Sequence, residues 1–216
     1  LIEPDAGGGV QQGHGSKDAT GVLKGKDGVM AANKKNYFAS LYKVAKLINS
    51  SLEPEKVLDG IVHGVAEAMG VKACGLRLLD SKHDELRMGA YYGLSKGYLR
   101  KGKVTLSGSR LDKRAIKGEV VYLEDVRTDR NWQYRERAKE EGIVSVLVVP
   151  LKVTGHPIGV LRAYTARKRS FTKDDIAFLE AAANLSAIAL DKARLHKALK
   201  TDYDLLLADR DRIDDN

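Results

Sequence analysis

From Asn33 onward the apolar positions take a helical spacing. Tyr37, Leu41, Val44 and Ile48 recur every three or four residues, with Phe38, Ala45 and Leu47 widening the stripe. Ser50 and Ser51 interrupt the run. Pro54 opens a second one, where its fixed φ and missing N–H suit a first helical turn. Val57, Leu58, Ile61, Val62, Val65 and Met69 give this second helix a broad apolar face. Gly70 suits the left-handed residue just past its end.

The period then becomes two. In 72–80, Cys74, Leu76 and Leu78 alternate with Ala73, Gly75, Arg77 and Leu79. After a polar turn, 85–93 sets Leu86, Met88 and Ala90 on one face, which predicts an antiparallel hairpin. Both faces are fairly apolar, so the sheet is expected to be covered on both sides. Residues 94–106 carry weak signals and read as a loop with short elements. Ser109 and Asp112 then have the spacing of a capping box, with Leu111, Ala115 and Ile116 facing inward and Gly118 as the stop. VVYLEDV (120–126) reads as a short edge strand. Asn131 to Glu141 reads as a helix or lid anchored by Trp132 and Tyr134.

A second hairpin follows, Ile143 to Leu151 out and Pro157 to Thr165 back. Pro150 has no N–H to give a ladder, so it must fall where pairing ends or bulges. Thr172 and Asp175 form a second capping box, with Phe171 and Ile176 at the staple positions. The helix they start is predicted to run about 30 residues, well beyond the 11–12 of an ordinary one. Ile176, Leu179, Ala183 and Ile188 are read as core-facing. Ala189, Ala193, His196, Lys200 and Tyr203 form a further stripe suited to a signalling coiled coil. This order of elements predicts an α+β fold with a single central antiparallel sheet and helices on both faces. The two terminal helices and 54–69 would lie on one face. The stretch 94–141 would lie on the other and enclose a pocket.

Residues 1–32 differ in kind. They hold eight glycines and few large apolar side chains, and read as a flexible leader. GVLKGKDG (21–28) has neither the spacing nor the Ser or Thr of a phosphate loop. Six Asp against two Arg mark 201–216 as an acidic tail or linker, leaving 33–200 as the folded domain. The formal charge of +8 is therefore concentrated in the first 200 residues. RKGK (100–103) and RKR (167–169) lack interleaved aromatics or a recognition helix, so they read as a solvated basic rim, with no direct nucleic-acid binding expected. A single Cys rules out an internal disulfide and favours a reducing compartment. No apolar run is long enough to span a membrane, and no signal segment is read at the start. A cytoplasmic location is the expectation.

Five segments in this order resemble the GAF domain family, a small-molecule sensor fold related to PAS domains. They are LEPEKVLDGIVHGVAEAMG, KGEVVYLEDVRTDRNW, EEGIVSVLVVPL, GHPIGVLRAY and FTKDDIAFLEAAANLSAIAL, and the resemblance covers roughly 34–198. It implies a sheet of five or six antiparallel strands and a pocket between that sheet and 94–141. It also implies a regulatory role exerted through terminal helices, often in dimers, on an effector such as a histidine kinase or transcriptional regulator. Ligands in the family range from cyclic nucleotides and bilins to haem, iron centres and small metabolites. Several classes find no match here. The only Cys, Cys74, lies on the first predicted strand and reads as a buried hydrophobe, whereas bilin-binding members need a suitably placed Cys and sulfoxide-reducing members need several. The NKFDE-type pattern of cyclic-nucleotide binders is absent. His14, His63, His83, His156 and His196 are isolated in sequence, so no metal site is expected.

Arg77 and Arg162 are the first candidates for a site. Each interrupts an apolar strand, and in the family fold the two strands are neighbours, so together they would suit a small anionic metabolite, a carboxylate or phosphate. Equally, they would snorkel or pair with carboxylates such as Asp80 or Glu85. Tyr91, Tyr92 and Tyr164 close strand ends and would offer hydroxyls to a ligand or simply close the core. Trp132, with Tyr134, would form a lid over the pocket or equally pin an Asp-rich loop to the sheet. Glu119, Glu124, Asp125 and Asp129 have no accompanying nucleophile or metal set, so no catalysis is expected. The functional expectation is a ligand-sensing regulatory domain, dimeric through helices 34–49 and 172–203. The alternative is a ligand-free dimerisation or protein-interaction module.

Overall fold

The computed structural model describes residues 37–51, 53–80, 84–130 and 132–214, with 206–214 given as backbone alone. The Gly-rich stretch 1–32 with GVLKGKDG and His14, the turn containing His83, and Asn131 lie outside the described residues.

Helix α1 covers 37–50 and α2 covers Pro54–Met69. Pro54 takes the first turn of α2 as its chemistry requires. Gly70 ends it at φ 58°, where its N–H reaches Glu67 O and the next N–H, of Val71, reaches Ala66 O. Strands β1 (Ala73–Leu79) and β2 (Leu86–Tyr92) follow, then the short helices α3 (Lys96–Leu99) and α4 (Arg110–Ile116). Strand β3 (Val121–Leu123), helix α5 (Arg135–Glu140), strands β4 (Ser145–Val153) and β5 (His156–Thr165), and helix α6 (Lys173–Asp214) complete the chain.

The five strands form one antiparallel sheet in the order β2-β1-β5-β4-β3. The β4–β5 hairpin turns on Thr154 and Gly155, both with positive φ (47° and 82°), the two-residue turn whose twist matches that of the strands. Pro150 lies beyond the end of the β3 ladder, which covers only Val146–Val148, and just before the bulge at Leu151/Lys152. Its missing donor falls where pairing is running out, as the sequence requires.

Each face of the sheet carries its own apolar layer. Cys74, Leu76, Leu147, Val149, Leu161 and Ala163 pack beneath α1, α2 and α6. Ala73, Val146, Val148, Val160 and Tyr164 pack beneath the 94–138 stretch with Tyr98, Leu111, Val126 and Trp132. Cys74 is fully buried, and burial pushes its thiol pKa upward.

Two readings of side-chain direction are corrected. Leu86 and Met88 do not share a face with Ala90: the first two lie on the α3–α4 side, and Ala90 lies under the helices. The cause is a β-bulge. Leu76 pairs with Ala90 but Arg77 pairs with Met88, so Gly89 is passed over and the alternation of β2 changes phase. On α6, Ile188 points to solvent at 56% exposure, whereas Ala189 is buried in the core. The helix also runs on through the acidic segment to Asp214 as one element of 42 residues, about 60 Å at the standard rise.

Candidate functional site

Arg77 and Arg162 occupy the same face of adjacent strands. In register, Arg162 lies opposite Gly75 of β1 and Val148 of β4, and Arg77 lies opposite Val160. Both side chains lie beneath the α3–α4 layer and are buried, at 5% and 3% exposure. β-Strand alternation forces this: two residues separated by one diagonal step on neighbouring strands must point the same way.

Their partners differ. Arg162 forms an ion pair with Asp112 on α4, and both side chains are almost wholly out of water. Its Nη1 also lies 3.4 Å from the Tyr164 hydroxyl, and its guanidinium carbon is 5.9 Å from the Trp132 ring centroid. Burial works against the charge of Arg162, but Asp112 together with Tyr164 and Tyr98 outweighs it, so its pKa moves up. Arg77 instead donates from Nη1 to the Leu86 carbonyl at 2.8 Å, and among the described residues no carboxylate pairs with it. Burial, and then the neighbouring Arg162, make its charge less favourable, so its pKa moves down. The carboxylates named from sequence do other work. Asp80 accepts from the backbone of Asp84 and Glu85 in the hairpin turn, and Glu85 pairs with Arg87 and Lys103.

Asp112 is the residue that sequence reasoning placed in another role. Its N–H reaches Ser109 Oγ at 3.4 Å, but the Ser109 hydroxyl donates to Asp112 Oδ2 at 2.6 Å. The reciprocal bond that completes a capping box is made at Thr172–Asp175, where the Thr172 N–H donates to Asp175 Oδ2 at 2.8 Å. At α4 the carboxylate is turned inward to Arg162 instead. The cap motif positions a buried acid over the middle of the sheet.

Tyr98, Lys101, Ser109, Asp112, Trp132 and Arg162 border a cavity of about 10 Å³, room for roughly one water molecule. Several buried polar atoms have no partner among the described residues: Arg162 Nε, Trp132 Nε1, the Tyr98 hydroxyl and Asp112 Oδ1 from residues bordering the cavity, and Arg77 Nε on the adjacent strand. The three nitrogens can only donate, so the unmet demand is overwhelmingly for acceptors. Trp132, Gln133 and Tyr134 form a wall shared by this cavity and an open depression of about 660 Å³, where Arg110, Arg130 and Arg135 stand exposed. Tyr134 Oη donates to Lys103 O at 2.6 Å, and Gln133 Nε2 reaches the same oxygen at 3.2 Å, so the wall is pinned to the loop after α3.

Of the other candidates, Tyr164 is buried in this layer, edge-on to Tyr98 with centroids 6.4 Å apart. Tyr91 and Tyr92 stand apart from the cluster. Tyr92 stacks on His63 of α2 at 4.4 Å, and Tyr91 is 45% exposed at the sheet edge. Tyr98, Lys101 and Asp112 were missed as site residues, because 94–106 has no clear periodicity and Asp112 fits a cap. A groove of about 240 Å³ between α1 and α2 includes Gly60 and Gly64 in its lining, and no unpartnered buried polar atom lies there among the described residues. Among the described residues no group of three or more His, Cys, Asp or Glu gathers as a metal site would need. No described helix is long and apolar enough to cross a membrane.

The comparisons with known proteins agree with this architecture. The chain matches the GAF domain over residues 51–191 and belongs to that family, whose members are typically sensory or regulatory domains of signalling proteins. The fold is similar to the GAF domain of a phosphoenolpyruvate-protein phosphotransferase from Coxiella burnetii. That match has a TM-score of 0.66 and 23% identity, and covers 76% of this chain and 98% of that one. It is also similar to free methionine-R-sulfoxide reductase from Neisseria meningitidis, solved with its substrate (0.62, 23%, 74% and 91%). A third similar structure is a domain of a putative two-component sensor histidine kinase protein from Sinorhizobium meliloti (0.55, 21%, 68% and 96%). A comparison with curated proteins finds no match.

Proposed function

We propose that this GAF domain is a non-catalytic sensor that binds a small anion, a carboxylate or phosphate, between the β1–β5 face and the α3–α4 layer. The observation that carries the reading is the imbalance of the buried cluster. Among the described residues two guanidinium groups face one carboxylate, and three N–H donors lack acceptors. An uncompensated buried charge costs several kcal/mol, so an arrangement like this is best accounted for by a ligand that supplies the missing negative charge. The exposed arginines of the outer depression would raise the local anion concentration at its mouth.

The output would run through helices. Ile188, Leu195 and Leu199 are exposed on α6 at spacings of seven and four, a coiled-coil seam, and α6 is exposed all round from Arg194 to Leu205. Phe38 and Tyr42 add an exposed apolar pair on α1. A second copy of this chain would cover these faces. This seam is centred on Ile188, Leu195 and Leu199 instead of the stripe Ala189, Ala193, His196, Lys200 and Tyr203 read from sequence, because Ala189 is buried in the core. An effector such as a histidine kinase or transcriptional regulator would take the signal from α6.

One observation favours the alternative of a ligand-free dimerisation module: the inner cavity is small and Arg162 already has Asp112. A thermal-shift panel of carboxylates and phosphate monoesters separates the two. The sensor reading expects at least one anion to raise the melting temperature of the wild type but not of Arg77→Met. A panel without effect on the wild type favours the module.

A further inference from the structure

In the basic run 100–103, Lys101 alone turns inward. Arg100, Gly102 and Lys103 are exposed, whereas Lys101 is half-buried. Its Nζ donates to Tyr98 O at 3.3 Å, lies 3.7 Å from the Tyr98 ring centroid and 6.0 Å from that of Tyr134. It borders the same small cavity as Arg162, Asp112 and Trp132. The groups facing it come from every element around the cavity. Arg77 on β1 and Arg162 on β5 oppose its charge. Asp112 on α4 and Glu141 after α5 favour it, and Tyr98 and Tyr134 lie against it.

We propose that Lys101 is the third cationic arm of this site, and that the ligand group it helps to hold is a tetrahedral dianion, a phosphate group, bound with uptake of one proton. The inference rests on the anion-site reading above and deepens it. Donors reach the cavity from three separate parts of the fold, Arg162 on β5, Lys101 after α3 and Trp132 before α5, and the charge of Arg77 on β1 acts on the same group of cations. That directionality suits a tetrahedral group better than a planar carboxylate, and because the cavity as it stands holds about one water, the Trp132–Tyr134 wall has to give way toward the outer depression to admit it. The charges agree. With Glu141 set against Lys72, its ion-pair partner, Arg77, Arg162 and a protonated Lys101 against Asp112 leave a surplus of two positive charges, which a dianion matches. In the empty site, burial first, and then Arg77 and Arg162, pull the Lys101 pKa down to about 7. At slightly alkaline pH the empty site therefore holds a neutral amine, and a dianion placed beside it draws the proton back.

Sulfate is a suitable test anion because it keeps both charges across the whole range from neutral to alkaline pH. Calorimetric titration of the full chain at pH 8, in two buffers of different ionisation enthalpy, is expected to show uptake of close to one proton. The affinity should fall by up to about tenfold per pH unit above pH 7.5, the slope expected for one linked proton. Lys101→Met should weaken binding and abolish the slope. Lys101→Arg, which cannot lose its charge, should keep the binding and lose the slope. Inorganic phosphate set against methyl phosphate then separates a free ion from an esterified ligand. Binding by the wild type with no proton exchange, or an unchanged slope in both variants, overturns the role of Lys101 and leaves the anion site standing. No binding of sulfate, phosphate or methyl phosphate at any pH overturns the phosphate assignment. If the carboxylates of the thermal-shift panel are also without effect, the anion site falls with it.

Discussion

Asp112, at the start of α4, and Arg162, in the middle of β5, form an ion pair in which both side chains are almost completely out of water. The pair ties the covering layer to the centre of the sheet, and among the described residues it leaves Arg77 as the charge without a paired acid. Asp112→Ala should therefore destabilise the domain by about 3–5 kcal/mol, since two buried guanidinium groups would then lack any counter-charge. The double variant Asp112→Leu with Arg162→Met should recover most of that loss. Urea midpoints of the three proteins test both statements.

Arg77→Met should have the opposite sign. Removing the less well compensated guanidinium should leave the melting temperature of the empty protein unchanged or higher, while removing the stabilisation given by an anion. Stability exchanged for function in this way is what a charge retained for binding produces.

Two glycines should differ sharply when replaced by alanine. A Cβ at Gly159 would lie 2.2 Å from the backbone oxygen of Arg77, so β1 and β5 would have to separate beneath the site. At Gly89 the nearest atom is Leu76 Cδ2 at 3.0 Å, the end of a side chain that can give way. Gly159→Ala is expected to cost well over about 2 kcal/mol and Gly89→Ala about 1 kcal/mol, from denaturant unfolding.

Asp175 contributes to the acid limb of stability. Burial opposes its charge, but the Tyr37 hydroxyl, the Thr172 N–H and Arg169 outweigh that and hold its pKa below the usual value. Because the folded-state pKa is the lower one, the stabilisation is fully present above the ordinary carboxylate range and is lost as pH falls through the folded value. Asp175→Asn should lower stability at pH 7 and flatten its decline below pH 4. Melting curves across that range provide the check.

Leu195→Asp on α6 should convert the proposed dimer to a monomer without moving the melting temperature of the core, because Leu195 is 56% exposed and lies beyond the packed part of the helix. Light scattering on the eluting peak would show a persistent dimer if the seam lies elsewhere.

Most of the fold can be read from the chain because local chemistry and long-range packing agree along it. Pro54 and Gly70 delimit α2, Thr172 and Asp175 start α6, and the alternation of Cys74, Leu76 and Arg77 sets the two faces of β1. What could not be read depends on single-residue offsets and on contacts distant in sequence. The bulge at Gly89 changes the phase of β2 because its register is set by β1, not by its own pattern. Ile188 and Ala189 exchange places because the apolar stripe of α6 is wide enough to fit two rotations of the helix. Asp112 looks like a cap until β5 brings Arg162 beneath it. Arg77 and Arg162 stood out because a charged residue amid strand hydrophobes is costly. Lys101 did not, because a lysine in a basic loop ordinarily faces water.

The central claim is that a small anion occupies the cavity above Arg77 and Arg162. Native mass spectrometry of the purified chain, beside denaturing spectra of the same sample and of Arg77→Met, tests it most directly. The account predicts a small added mass that survives native conditions, disappears on denaturation and is absent from the variant. A bare wild-type mass before and after incubation with the carboxylates and phosphate monoesters of the thermal-shift panel, or an added mass that Arg77→Met retains, would contradict it.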